Sequence, residues 1–359
     1  MHMKILNLHS VGNLVYEDRE IPEPGQNEVL LKVMACGICS SDEARVMETG
    51  TYHFPTVPGH EFAGQVVKLG EGCDPALLNR KASVFPLLPC FHCEACKEKS
   101  YATCADYKYF GSRNDGAFAE YLVVPAWNLN LLDDGVPYTT GALSEPAAVA
   151  HHAVEMGKVK KGDRALVIGT GTIGLLIAAF CQQKGAEAYV AGRRQESLAF
   201  AESFGFKTIS TSEIREQVDK LTNGRRMDVT FEAVGSNQSL ENAIMSARSG
   251  GTVVAMGNPK GDEQLPKDVY WKILRWQLTL QGTWNSAFHA EGDDWKAVAA
   301  AMKEGDFPFE RLITKKYLLS EGDEAFRFLQ DKSVHKSRLM FVMHEEADRL
   351  LKEREESRK

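Results

Sequence analysis

Arg164-Ala165-Leu166-Val167-Ile168-Gly169-Thr170-Gly171-Thr172-Ile173-Gly174 is the stretch on which the fold turns. From Ala165 to Gln183 no residue carries a charge, a run about as long as a membrane-spanning helix requires. Three glycines, with Thr170 and Thr172 between them, break such a helix near its start. A buried strand ending at Ile168, a glycine turn and a helix from about Thr172 to Lys184 is the better reading. In that setting the glycines permit a tight turn, close approach of a pyrophosphate and helix–strand packing. The helix N–H groups then meet the phosphates. Gly169, Gly171, Thr172, Ile173 and Gly174 are therefore candidate dinucleotide-binding residues.

Downstream, strand-like and helical segments alternate. Strands are expected at 188–191, 228–233, 251–256 and 278–282, with a helix at 195–204. Alternation of this kind implies a doubly wound parallel sheet of Rossmann type, placed at residues 147–285. Upstream, short strand-like runs at 29–33, 64–68 and 118–124 are cut by Gly and Pro, which suggests a β-rich barrel-like domain over 1–146. The texture changes at Ser144-Glu145-Pro146. Residues 286–359 turn helical and close with a strand at 337–343; too short to fold alone, this segment is expected to return to the first domain. The tail from Glu345 onward, dense in both charge signs, reads as a solvated helix end. Met1-His2-Met3 reads as a start joined to a cloning remnant, outside the fold.

Composition narrows the function classes. The 359 residues are 43% hydrophobic and 25% charged, which excludes collagen, fibrous and low-complexity chains. A formal charge of −7 argues against a broad nucleic-acid or anionic-lipid surface, so an anionic small ligand needs locally placed cations. No basic stretch followed by an apolar core opens the chain, and a cytoplasmic protein is expected.

Four of the eight cysteines crowd into Cys90-x2-Cys93-x2-Cys96-x7-Cys104. Four thiolates close a tetrahedral zinc shell completely and leave no position for water or substrate, so such a site is structural. An iron–sulfur cluster also takes four cysteines. Cys73 and Cys181 stand alone and read as small buried hydrophobes.

This spacing, with Gly59-His60-Glu61 upstream and the glycine turn downstream, resembles the zinc-containing medium-chain dehydrogenases from about Lys4 to Met343. The resemblance implies a GroES-like β-rich catalytic domain joined to the Rossmann domain. It further implies a catalytic zinc on Cys39, His60 and Glu145, with Glu61 as a direct or approaching ligand. Cys39-Ser40-Ser41-Asp42 stands where the family has Cys-Gly-Ser-Asp. Ser41 resembles the hydroxyl that begins the family's proton relay, and Asp42 is placed to orient His60. Cys36 reads as packing. Such a zinc lowers the pKa of a substrate hydroxyl, and hydride leaves for a nicotinamide.

Residues 84–90 and 110–116, with Lys272-Ile273-Leu274-Arg275 leading into Gly282-Thr283-Trp284-Asn285, look closest to the branch that oxidises galactitol 1-phosphate to tagatose 6-phosphate. A polyol phosphate is thus the expected substrate, with Arg113, Lys272 and Arg275 as candidates for its phosphate. An unphosphorylated polyol or threonine dehydrogenase is the alternative, and a non-catalytic dinucleotide-binding relative a remoter one. A homodimer or homotetramer, associating near 278–281, would suit the family.

The cofactor departs from that branch, which generally uses NAD. A carboxylate about 20 residues beyond the glycine turn usually holds the ribose 2′-hydroxyl of NAD. Here Gly192 takes that place, and Arg193 and Arg194 follow. Loss of the acid removes a repulsion against a 2′-phosphate, and adjacent guanidiniums offer multidentate donors. NADP is the expected cofactor, NAD the alternative.

Overall fold

The computed structural model describes residues 1–259 and 261–357. The chain divides into two units: Met1–Pro146 with Ala287–Lys359, and Ala147–Ser286.

The second unit is built on six parallel strands: β1 (Arg164–Ile168), β2 (Glu187–Gly192), β3 (Lys207–Ser210), β4 (Met227–Glu232), β5 (Ala247–Ala255) and β6 (Thr279–Gly282). Their order across the sheet is β3-β2-β1-β4-β5-β6, the doubly wound order with its reversal at β1. Helices must cover both faces of such a sheet, which is why β1, β2 and β4 read as nearly continuous apolar or fully buried runs. The glycine turn after β1 is forced locally. Gly169 sits at φ +131°, and a Cβ on Gly174 would lie 2.1 Å from the Gly169 carbonyl oxygen. Only glycine at 174 lets the helix Thr172–Gln183 pack this close to the strand. β3 is absent from the sequence expectations: Lys207-Thr208-Ile209-Ser210 is short, largely polar and at the sheet edge, where one face gives no apolar signal.

In the first unit, the strand Glu28–Ile38 is central to a seven-stranded sheet. It pairs antiparallel with Glu61–Leu69, Gly37 opposite Glu61, and with Arg338–Val342, Leu339 opposite Ile38. These two registers bring Cys39, Glu61 and Arg338 to one end of the sheet, though they come from three distant parts of the chain. Beneath lies a core that includes Phe62, Phe118, Leu339 and Phe341, with Phe118 and Phe341 in edge contact at 4.9 Å. The expected strand at 118–124 begins only at Tyr121. Phe118 instead sits in a loop whose carbonyl accepts from Leu6 N at 2.8 Å.

Two expectations about the termini need correction. The first strand begins at His2, and Met3 is buried, so this segment belongs to the fold. The tail forms a helix, His344–Glu356, with Glu346 and Leu350 buried on one face. Arg354 of that helix donates from both terminal nitrogens to Glu321, so it is docked rather than merely solvated.

Candidate metal and dinucleotide sites

Among the described residues, two groups of side chains could hold a metal ion. In the first, Cys90, Cys93, Cys96 and Cys104 bring their sulfurs within 4.8 Å of one another. Cys90–Cys96 and Cys93–Cys104 are separated by 3.9 and 3.8 Å. Four sulfurs around zinc, each at about 2.3 Å, make a tetrahedron with edges of about 3.8 Å, so the cage has the right size. Backbone N–H groups of Cys90 and Cys93 point at Cys104 and Cys90 sulfurs, as they do to thiolates. Backbone donors at Ala105 and Cys96 pull the Cys93 thiol down to about 6, whereas burial and shared protons push Cys96 up to about 12. A divalent cation at the centre would ionise all four. The loop is anchored by aromatics: Phe91 and Tyr101 meet Trp127 edge-on at 4.9 and 5.2 Å.

The second group is Cys39, His60 and Glu61, whose ligand atoms also lie within 4.8 Å of one another. Cys39 caps the short helix Ser40–Ala44, and its N–H donates to Asp42 Oδ2 at 3.0 Å. That bond turns Asp42, fully buried, toward His60, with Asp42 Oδ1 3.3 Å from Nδ1. The contact does not make a hydrogen bond, but the carboxylate still favours a proton on Nδ1 and leaves Nε2 for a ligand. Glu61 enters from the neighbouring strand, and Oε1 lies 3.3 Å from Arg338 Nη1. Arg338 also donates to the Ile38 carbonyl at 3.0 Å.

Glu145 stands beside this trio rather than within it: its Oε1 accepts from Tyr109 Oη at 3.1 Å, and the Tyr109 ring is 5.6 Å from His60. Of the two carboxylates, Glu61 is the one whose oxygen falls within 4.8 Å of the Cys39 and His60 ligand atoms. Ser41 Oγ accepts from Arg45 Nη1 at 3.0 Å. Cys36 is fully buried with its sulfur toward the Gly37 carbonyl, a packing residue. Arg338 and Tyr109 are site residues that sequence reasoning missed; a lone arginine at the head of an apolar strand was the only available signal for the first.

The electrostatics of this cluster ask for a cation. Burial opposes ionisation of the Cys39 thiol, yet the His60 imidazole holds it well below its usual range. Burial likewise opposes charge on His60, but Asp42 and Cys39 lift its pKa well above normal. Glu61 and Glu145 are both raised, first by burial and then by the neighbouring anions, despite Arg338. Both oxygens of Glu61 are buried without a hydrogen-bond partner. Thiolate, imidazole and carboxylate are the donors of a catalytic zinc site, and these orphaned acceptors fit one.

In the second unit a cavity of about 420 Å³ is lined by Gly169, Thr170, Gly192, Arg193, Arg194 and Thr211 with neighbouring residues. Gly171 caps the helix Thr172–Gln183, and a Cβ there would meet nothing within 4 Å. No internal contact calls for glycine at 171, so its bare backbone suits an external phosphate. Arg193 and Arg194 are exposed directly after Gly192. Of the candidates for a substrate phosphate, Lys272 is already committed: it is buried, lies 3.9 Å over the Trp276 ring and donates to the Met245 carbonyl. Arg275 is exposed. Arg113 is held between the rings of Tyr52 and Tyr107, 4.4 Å from each.

Comparison with known proteins agrees with this geometry. The alcohol dehydrogenase GroES-like domain family matches residues 25–134, and the zinc-binding dehydrogenase family matches 172–304. Galactitol 1-phosphate 5-dehydrogenase of Escherichia coli K12 is 34% identical over 313 residues, 86% of this chain and 90% of the relative. L-galactonate-5-dehydrogenase of the same strain is 32% identical over 319 residues, covering 88% and 92%. The crystal structure of Escherichia coli galactitol-1-phosphate dehydrogenase matches with a TM-score of 0.88 at 30% identity, covering 95% of this chain and 100% of that one. A Sinorhizobium meliloti zinc-binding dehydrogenase bound to NADP matches at 0.88 and 26% identity, covering 96% and 100%. An Escherichia coli CFT073 alcohol dehydrogenase complexed with NADH matches at 0.87 and 26%, covering 95% and 99%. The chain belongs to the zinc-containing medium-chain alcohol and polyol dehydrogenases, with a GroES-like domain joined to a Rossmann domain.

Proposed function

We propose that this dehydrogenase oxidises a polyol phosphate, galactitol 1-phosphate to tagatose 6-phosphate or a close relative, with NADP as hydride acceptor. The convergence of Cys39, His60 and Glu61 beside Glu145 is the observation that carries the catalytic half of this reading. Cys39, His60 and one of the two carboxylates would hold a zinc ion, which would supply Lewis acidity toward a substrate alcohol near neutral pH, and a bound nicotinamide would be the hydride acceptor. A second zinc, in the Cys90–Cys104 cage, is structural.

The chain's own residues do the rest. Asp42 fixes the His60 tautomer, and Tyr109 holds Glu145 against drift. Ser41 Oγ accepts from Arg45 and keeps a second lone pair and its own hydrogen, so it can take the substrate's proton while releasing its own to water. Arg113 lies in the loop of Tyr109, its N–H donating to the Tyr109 carbonyl at 3.0 Å. Its guanidinium stacks on two aromatic rings and donates to the Tyr107 carbonyl at 3.0 Å and to Tyr52 Oη at 3.2 Å, but has no carboxylate partner among the described residues, so its charge and remaining N–H groups stay available to a substrate phosphate. Gly192, Arg193 and Arg194 support NADP over NAD. A homodimer or homotetramer forms along β6, where Leu280 is exposed at the sheet edge. No helix among the described residues is long and apolar enough to cross a membrane, and a cytoplasmic enzyme is our reading.

Initial rates on galactitol and galactitol 1-phosphate, each with NADP and NAD, test this. The phosphate ester with NADP should exceed the free polyol about tenfold or more in kcat/KM, the worth of one charge-assisted contact. Equal efficiency on the two polyols would contradict the substrate; a clear NAD preference would contradict the cofactor.

A further inference from the structure

We propose that Thr170 is a cofactor-specificity residue: its γ-methyl closes position 192 to any side chain, so no ribose-binding carboxylate fits at the end of β2. This inference rests on the reading of the cavity as the site of a 2′-phosphorylated dinucleotide.

The pairing of β1 with β2 sets the geometry. Ile168 stands opposite Ala191, and Gly169 N donates to the Ala191 carbonyl at 2.9 Å. The next residue along each chain is therefore Thr170 on one side and Gly192 on the other, and both line the same cavity. Gly192 is not among the residues at positive φ. Its backbone would accept any residue, so conformational freedom does not explain the glycine.

Space explains it. A Cβ built on Gly192 lies 2.5 Å from Thr170 Cγ2 and 3.0 Å from Leu198 Cδ2, where carbon atoms at ease keep about 3.5–4.0 Å. Leu198 is buried in the sheet-facing side of its helix and has nowhere to retreat. Thr170 carries two heavy atoms on Cβ, which restricts the rotations that would clear the space. An aspartate at 192 needs this Cβ before it can offer a carboxylate. The acid is thus excluded by a neighbour in the glycine turn, and the arginines that follow act where that exclusion has already removed the competing charge. One replacement at 192 will not convert the site; a pair will.

The test uses the full chain, with thermal unfolding and calorimetric titration of two cofactor fragments, 2′,5′-ADP and ADP-ribose. Gly192→Ala should lower the unfolding midpoint by roughly 5 °C, and adding Thr170→Ala should return it to that of Thr170→Ala alone. Gly192→Asp should bind ADP-ribose no tighter than the unmodified protein, whereas Thr170→Ala/Gly192→Asp should bind it about tenfold tighter and lose its preference for 2′,5′-ADP. A Gly192→Ala midpoint equal to that of the unmodified protein would overturn the proposal. So would Gly192→Asp alone binding ADP-ribose as tightly as the double variant. Should the unmodified protein prefer ADP-ribose to 2′,5′-ADP, the NADP reading falls, while the alanine midpoints still decide whether Thr170 and Gly192 collide.

Discussion

Arg193 and Arg194 follow Gly192 and line the cavity at the glycine turn, both exposed. A 2′-phosphate between two guanidiniums gains charge-assisted hydrogen bonds that a 2′-hydroxyl cannot match. Replacing both by alanine should weaken 2′,5′-ADP binding about tenfold, ~1.4 kcal/mol, and leave ADP-ribose nearly unchanged. Calorimetry on the two fragments checks it; equal losses for both would assign the arginines to general charge. At this scale the sequence was informative where residues that act together are also close in sequence, as in the glycine turn and the four-cysteine loop. Arg338 and Tyr109 were not legible. Arg338 meets Ile38 across 300 positions of sequence separation, and only strand register creates that contact. Strand register likewise, with Gly37 opposite Glu61, groups Glu61 with Cys39 and His60.

Single elements carry two further expectations. The helix Lys267–Arg275 buries Lys272, and burial together with Arg226 pulls its pKa down to about 7 from the usual 10.5. Between those values the unfolded chain binds the extra proton, so this group makes stability rise with pH from about 7 to about 10; below about 7 the cost is fully present. Lys272→Met should therefore be stabilised at pH 7 by about 1 kcal/mol, a figure reduced for screening by nearby water, with Arg226 still donating to the Met245 carbonyl. Denaturant unfolding at pH 7 and pH 10 should show the gain shrinking at the higher pH. A gain independent of pH would mean that packing, not charge, sets it. A zinc held by the cysteine loop, as proposed, would couple metal binding to folding. Cys93→Ser should lose one zinc per chain, lower the unfolding midpoint by roughly 5 °C and alter Trp127 fluorescence, because Phe91 and Tyr101 lean on that indole. An unchanged midpoint with full zinc would contradict a structural site. Element boundaries were readable where apolar runs are continuous, as in β1 and β4. They failed at β3, an edge strand with little apolar content, and at 118–120, where Phe118 and Ala119 are buried without belonging to a strand.

For the molecule as a whole, the fold class was open to sequence reasoning because one uncharged run with three glycines admits few solutions. The assembly of Cys39, His60, Glu61 and Glu145 at one end of the first unit's sheet was expected from the family resemblance; the spacing of these residues alone could not show it, nor the Arg338 that pairs with Glu61. That assembly is the central claim. Its most direct test is zinc content and turnover of Cys39→Ala beside the unmodified protein, with circular dichroism to follow the fold. The unmodified chain should hold two zinc ions; Cys39→Ala should hold one, keep its fold, and lose turnover by about a thousandfold or more, the several kcal/mol that a Lewis-acid metal supplies. Near-normal turnover in Cys39→Ala would contradict the account.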